Sequence, residues 1–159
     1  KLVASPVAQR AEELGVPVLK PEHPREPEFH EALRALLNEK LEQAENLPAA
    51  YRARLARAVS RSFEFVARVA ADPEREHMAR QASSALYNAA SAVILAWEGG
   101  LPGGAPGKLL VSRLVLEHRI EPVDPLAPPD GDWEHAAYEH LLGDGSGPTL
   151  AEALDLLAE

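Results

Sequence analysis

The strongest helical signal in the chain is the segment from Asp72 to Gly100, and it restricts the fold more than any other feature. Asp72 is a suitable N-cap, and Pro73 fits the first helical position, where a missing backbone N–H costs nothing. Gly99 and Gly100 predict a left-handed end to the helix. We therefore predict one helix across this segment, at the centre of a helical bundle.

An apolar stripe along this segment indicates how it packs. The stripe repeats every three or four residues, as one face of a helix does. Its members are Met78, Ala82, Ala85, Leu86, Ala89, Val93 and Trp97. Small residues between them let a neighbouring helix come close, and Tyr87 with Asn88 predicts a buried polar pair. Polar residues interrupt any run of the ~20 apolar residues that a membrane span needs, so we expect none.

The residues before this segment predict a second helix. The positions that form its predicted inner face recur at a helical spacing. They are Tyr51, Leu55, Val59, Ser62, Val66 and Val69. Because this helix ends at the Asp72–Pro73 corner, we expect the two helices to pack antiparallel as a hairpin.

The carboxy-terminal part predicts shorter helices. Residues 108–119 fit a helix or a strand, and we favour a helix because Leu110 and Leu114 keep a helical spacing. Thr149 can cap a last helix, and Glu152, three residues on, completes a capping box.

Residues 1–40 predict a separate arm. Ser5 caps a first helix, residues 16–19 form a short extended run, and a second helix follows from residue 26. The predicted fold class is therefore mainly α, with an amino-terminal helix–extended–helix arm and a helical bundle domain over residues 41–159.

Composition agrees with this fold and limits the function. The apolar fraction is 46% and the aromatic fraction 5%, which predicts an aliphatic, alanine-rich core. The absence of cysteine excludes disulfides and thiolate metal sites, and it favours a cytoplasmic setting. A formal net charge of −9 argues against a general nucleic-acid partner.

The stretch SPVAQRAEELGVPVLKPE, followed by EPEFHEALRAL, resembles a piece of the amino-terminal domain of methionyl-tRNA formyltransferase. The resemblance covers residues 5–36. That family's domain is a Rossmann-like α/β sheet. The family's catalytic Asn, His and Asp motifs have no counterpart in this sequence, so the resemblance carries over no catalytic residue.

Residues 48–127 carry a second resemblance, through LARAVSR, MARQASSALYNAASAVILAWEGG and LLVSRLVLEHRIEPVDPL. They are similar to the carboxy-terminal helical region of acyl-CoA dehydrogenase-like flavoproteins. That region is a bundle used for packing near the flavin and for subunit contacts. The resemblance implies a homo-oligomer or a helical partner, with FAD as an alternative cofactor. The family's catalytic glutamate has no counterpart here.

One group of basic residues is a candidate ligand site. Arg54, Arg57, Arg61 and Arg68 fall on roughly one side of the second predicted helix. Guanidinium groups bind phosphate, as in CoA or a flavin, although a solvated face is the interpretation that we favour. We expect no catalytic residue and no metal site.

The sequence leaves three functions open. We favour a non-catalytic helical domain for packing and self-association. The first alternative is a fragment of a ligand-binding enzyme, formyltransferase-like or acyl-CoA- and flavin-binding, that uses the four arginines. The second is an artificial or recombined chain without a natural function, because two unlike resemblances share one short chain.

Overall fold

A computed structural model describes residues 6–13, 18, 27–121, 126, 133–143 and 145–158. Within them lie seven α-helices: α1 (Pro6–Glu13), α2 (Pro27–Gln43), α3 (Ala49–Ala70), α4 (Ala79–Gly100), α5 (Gly107–Val115), α6 (Trp133–Leu142) and α7 (Leu150–Ala158). A 3-10 helix covers Pro73–Met78, and a π-helical turn covers Leu116–Ile120. The described residues contain no strand, which confirms the mainly α prediction. None of their helices has the length and apolar character needed to cross a bilayer.

The α3–α4 pair forms the predicted antiparallel hairpin. Near the corner, the Ser62 hydroxyl donates to the backbone carbonyl of Ala85 at 3.3 Å. At the far end, the Asn46 side-chain amide donates to the carbonyl of Gly100 at 3.1 Å. Helix α5 packs against α4 and completes an aliphatic core. Its fully covered members include Leu55, Ala92, Val93, Ala96, Leu109, Leu110 and Leu116.

The central helix begins later than predicted. The Asp72 carboxylate does accept the backbone N–H of Glu74, at 3.0 Å, as an N-cap should. The turn that follows, Pro73–Met78, is a 3-10 helix that buries none of its residues. Without side chains packed on the core, nothing holds this turn in α geometry, and the α-helix starts at Ala79.

The predicted left-handed stop at Gly99 and Gly100 is wrong. Both glycines are buried inside α4, and the positive φ, 75°, is found at Gly103. A Cβ on Gly99 would lie 2.9 Å from Leu109 Cγ and 3.0 Å from the Leu109 backbone nitrogen. Gly99 therefore allows α4 and α5 to approach closely, and it does not end the helix.

Both of the shorter helices predicted above are present. Residues 108–119 are helical rather than extended, through α5 and the π-helical turn after it. At the start of α7, the Glu152 carboxylate accepts the Thr149 backbone N–H at 2.8 Å and its hydroxyl at 2.7 Å. The Glu152 N–H donates back to Thr149 Oγ1 at 3.3 Å, which confirms the capping box. These hydrogen bonds from Thr149 lower the pKa of Glu152.

The amino-terminal arm is described in part. The predicted cap at Ser5 lies outside the described residues, as does all of the extended run except Val18, which is in no strand. Helix α2 packs on α3 and α4 and buries Leu37 and Leu41 in the core. The domain division at residue 40, which falls inside α2, remains a prediction.

Candidate binding groove

A groove opens where α2, α3 and α4 meet beside the 3-10 corner. Its volume is about 640 Å³, within the roughly 300–1,000 Å³ of small-molecule sites. The walls are mainly apolar, with Phe29 and Leu33 from α2, Val66 and Val69 from α3, and Leu86 from α4. We call this feature the α2–α4 groove.

The floor of the groove reflects the alanine-rich sequence of α4. Ala79, Ala82 and Ala90 line it, where larger side chains would fill the space. Ser83 and Ser84 are both exposed on the same helix, but only Ser83 lines the groove. The sequence predicts that the small residues of α4 let a neighbouring helix come close. In the structure they also leave a cavity that the described helices do not fill.

Polar and aromatic groups stand at the rim. Tyr87 lines the groove and is 72% exposed, so the predicted buried pair of Tyr87 and Asn88 is wrong. The prediction failed because no described helix covers α4 at this point. Asp72, Glu76 and His30 also line the groove, and no lysine or arginine is among its described lining residues.

The four candidate arginines lie elsewhere, since none of them lines the groove. The structure also separates Arg54, which is paired, from the other three arginines. Arg54 Nη2 lies 3.1 Å from the carboxylates of both Glu117 and Glu121. Burial acts to lower the pKa of Arg54, but the hydrogen bonds that its guanidinium donates to Glu121 and Glu117 outweigh this effect, and the pKa is raised. Arg54 is therefore committed to an internal ion-pair network.

The other three arginines are exposed on α3. Among the described residues, Arg57 and Arg61 form no ion pair or hydrogen bond. The Arg68 guanidinium lies 5.9 Å from the centre of the Phe65 ring. Their role as a ligand site stays a prediction, now limited to these three residues.

A buried arginine was not foreseen from the sequence. Arg113 is 6% exposed, and its Nε donates to Glu117 at 2.9 Å. Its guanidinium lies 3.9 Å from the centre of the Trp133 ring and also donates to the carbonyl of Leu156. The four-residue spacing to Glu117 could have indicated the ion pair. The contacts with α6 and α7 depend on tertiary packing and leave no local signal.

A second buried polar group joins three helices. The Ser112 hydroxyl of α5 donates to the carbonyl of Ala92 in α4 at 2.7 Å. The Tyr51 hydroxyl of α3 lies 2.8 Å from the same Ser112 oxygen and donates to it, because the Ser112 proton is already used. Burial raises the pKa of Tyr51 well above its usual range. We call these three groups the hydroxyl junction.

No metal centre is assembled in the part of the chain that the structure describes. That part has no group of three or more His, Asp or Glu residues placed to hold an ion. In α6, the Glu134 carboxylate lies 3.2 Å from His118 Nε2 and accepts the Tyr138 hydroxyl at 3.0 Å. The first contact joins α6 to the π-helical turn, and the second lies within α6.

Comparison with known proteins matches one short segment. It is 78% identical over 36 residues to a methionyl-tRNA formyltransferase of Nocardioides sp., covering 23% of this chain and 11% of that protein. The methionyl-tRNA formyltransferases of Streptomyces coelicolor and Streptomyces avermitilis are each 64% identical over 36 residues, 12% of their length. The formyltransferase resemblance is therefore confirmed for a short segment.

The remainder of the chain has no such support. No protein-family model and no solved structure matches any part of this chain. The resemblance of residues 48–127 to acyl-CoA dehydrogenase-like flavoproteins is not shown by these comparisons, and it stays a prediction.

Proposed function

We propose that this chain is a helical binding domain whose α2–α4 groove holds an apolar ligand. The observation that carries the proposal is the groove itself, a cavity of about 640 Å³ with mainly apolar walls beside a well-packed core. Small-molecule sites are concave and lined mainly by apolar and aromatic side chains, with a few polar groups. This groove has those features.

The expected affinity follows from the surface that a ligand would bury. Removing apolar surface from water is worth roughly 25 cal/mol per Å². A ligand that buries about 300 Å² of apolar surface would gain roughly 7 kcal/mol before the costs of association. We therefore expect dissociation constants from about 10 μM to 1 mM for simple apolar compounds.

Titration of a neutral, environment-sensitive dye such as Nile red tests the proposal. Ser83→Trp places an indole in the groove and should weaken dye binding about tenfold or more. Ser84→Trp is the matched control, because this neighbouring serine is equally exposed on α4 but does not line the groove. Failure of the wild type to bind, or equal binding by both variants, would contradict the proposal.

Self-association, expected from the sequence, competes for the same surface. A second copy could cover the α2–α4 groove and the exposed Tyr87 at its rim. Size-exclusion chromatography with light scattering should accompany the dye titration. A monomer at all concentrations would remove self-association, whereas a dimer that Ser83→Trp dissociates would replace the small ligand as the occupant.

The second candidate is a piece of a ligand-binding enzyme that uses the exposed arginines. Two observations favour it: Arg57 and Arg61 lack ion-pair partners among the described residues, and a 36-residue segment matches proteins named methionyl-tRNA formyltransferase. Anionic ligands such as a formyl-folate, CoA or FAD would then bind on α3 through charge-assisted hydrogen bonds.

Calorimetric titration with these three compounds tests the second candidate. Heat that is lost in Arg57→Glu and Arg61→Glu, but kept in Arg80→Glu, would support a site on α3. Arg80 is a suitable control because it is exposed on α4 and undergoes the same charge reversal. No heat with any compound at about 100 μM would exclude a site of physiological strength.

A further inference from the structure

We infer that Tyr87 is the specificity-determining residue of the α2–α4 groove, and that it selects neutral, aromatic ligands with one hydrogen-bond acceptor. The inference rests on the proposed function and adds the chemical class of the ligand. It is carried by the exposure of Tyr87 at the rim and by the contacts that the other polar residues of the groove already make.

Tyr87 is an exposed aromatic residue that no described residue holds in place. Its side chain lines the groove and is 72% exposed. Within the described part of the chain it makes no hydrogen bond and no ring contact. The ring is therefore free to change rotamer and cover a bound ligand. Covering roughly 50 Å² of apolar ring surface is worth about a factor of ten in affinity.

Two polar side chains of the groove are satisfied by neighbours in the sequence. Ser83 Oγ donates to the backbone carbonyl of Ala79 at 3.0 Å. Asp72 Oδ1 accepts from the Glu74 backbone N–H at 3.0 Å, and Asp72 Oδ2 accepts from Arg75 Nε at 2.9 Å. A ligand would have to break one of these contacts to use Ser83 as a donor or Asp72 as a free charge.

The remaining polar lining residues differ from Tyr87 in the same way. Glu76 and His30 both have interaction partners, whereas the Tyr87 hydroxyl forms no hydrogen bond within the described residues. A ligand with one acceptor can take the proton of that hydroxyl without breaking another contact. A charged ligand would lose its hydration without gaining a free counter-charge, so a neutral ligand is favoured.

The α2 wall of the groove favours an aromatic ligand. The ring centres of Phe29 and His30, which both line the groove, are 6.0 Å apart. His30 in turn lies 6.4 Å from the ring of Phe63, which belongs to the buried core. These spacings are those of favourable aromatic pairs. An aromatic ligand would thus lie between a fixed aromatic wall on α2 and the movable Tyr87 ring on α4.

Three compounds that share one ring system test the inference: 2-acetylnaphthalene, naphthalene and 2-naphthoate. Each is titrated at pH 7 as a competitor of Nile red. We expect the ketone to bind about threefold to tenfold more tightly than naphthalene, since it adds one hydrogen bond. The anion should bind at least about tenfold more weakly than the ketone.

Variants of Tyr87 separate its hydroxyl from its ring. Tyr87→Phe should weaken binding of the ketone about threefold to tenfold and leave naphthalene binding unchanged. Tyr87→Ala should weaken binding of both neutral compounds about tenfold. Tyr138→Phe is the matched control, because Tyr138 is also exposed but does not line the groove, and its hydroxyl donates to Glu134. It should change neither affinity.

The outcomes distinguish this inference from the proposed function. Unchanged ketone binding in Tyr87→Phe, or unchanged binding of both neutral compounds in Tyr87→Ala, overturns the role of Tyr87 but leaves an apolar binding site. Binding of 2-naphthoate as tight as that of the ketone overturns the selection of neutral ligands. Failure of all three compounds and of Nile red to bind overturns the proposed function itself.

Discussion

Replacing Gly99 with alanine tests how closely α4 and α5 approach. An added Cβ would lie 2.9 Å from Leu109 Cγ, 3.2 Å from Leu109 Cδ2 and 3.0 Å from the Leu109 backbone nitrogen. The side-chain atoms could rotate away, but the backbone nitrogen moves only if α5 shifts. Gly100 is a matched control, because it is also buried in α4 and a Cβ there would meet no atom within 4 Å.

The two substitutions are expected to differ in sign. Alanine is more favourable than glycine inside a helix by up to about 1 kcal/mol, and less at a helix end. Overpacking a well-filled core costs about 1–3 kcal/mol. Gly99→Ala should therefore destabilise the protein by up to about 2 kcal/mol, whereas Gly100→Ala should be neutral or stabilise it by up to about 1 kcal/mol.

Urea unfolding followed by circular dichroism measures both free energies of unfolding. In thermal unfolding, each 1 kcal/mol should shift the midpoint by about 2–4 °C for a domain of this size. Removing the Leu109 side chain in the Gly99→Ala background should relieve only part of the clash, because the backbone contact remains. If Gly99→Ala were as stable as Gly100→Ala, the close approach would not be the reason for glycine at position 99.

Three further variants probe the polar groups and the last helix. Ser112→Ala leaves the buried Tyr51 hydroxyl without its acceptor and should cost about 1–3 kcal/mol in urea unfolding. Glu117→Ala leaves a buried guanidinium without its carboxylate and should cost about 3–5 kcal/mol. Glu152→Gln should destabilise α7 at neutral pH. The hydrogen bonds from Thr149 lower the pKa of Glu152 in the folded state. The stabilisation of α7 by the Glu152 carboxylate is therefore fully present above the unfolded-state pKa of this group, and it is lost as pH falls through the folded-state pKa.

For each of these three predictions, one measurement would contradict the reasoning. Adding Tyr51→Phe to Ser112→Ala should recover part of the loss, and strict additivity would deny the hydrogen bond. A cost for Glu117→Ala no larger than that of an exposed Ser84→Ala would contradict the buried ion pair. Thermal unfolding of wild type and Glu152→Gln should converge in acid, and a constant difference across pH would contradict the capping role of the carboxylate.

The sequence predicts local features of this fold well. The N-cap at Asp72, the capping box at Thr149 and the hairpin corner each depend on residues a few positions apart, and all are present. The role of Gly99 was misassigned because a paired glycine is a frequent helix stop, whereas close packing against Leu109 is visible only in three dimensions.

The candidate site shows the same limit. The basic face of α3 was recognised from helical spacing, but spacing cannot show that Arg54 is paired with carboxylates more than sixty residues away. The α2–α4 groove was not predicted, because a cavity depends on what fails to cover α4. An alanine-rich stretch with an unexpectedly exposed Tyr87 is compatible with close packing or with an open groove, and only the position of α2 decides.

The hydroxyl junction favours a single packing arrangement of the core. Alanine-lined helices present smooth surfaces that could slide past one another by a turn at little loss of buried area. The Tyr51–Ser112–Ala92 hydrogen bonds form only in one alignment of α3, α4 and α5. Any slipped alignment would leave these buried polar atoms without hydrogen-bond partners. A chain lacking these hydroxyls would retain its helical content, but its core resonances in NMR spectra should broaden as alternative alignments interconvert.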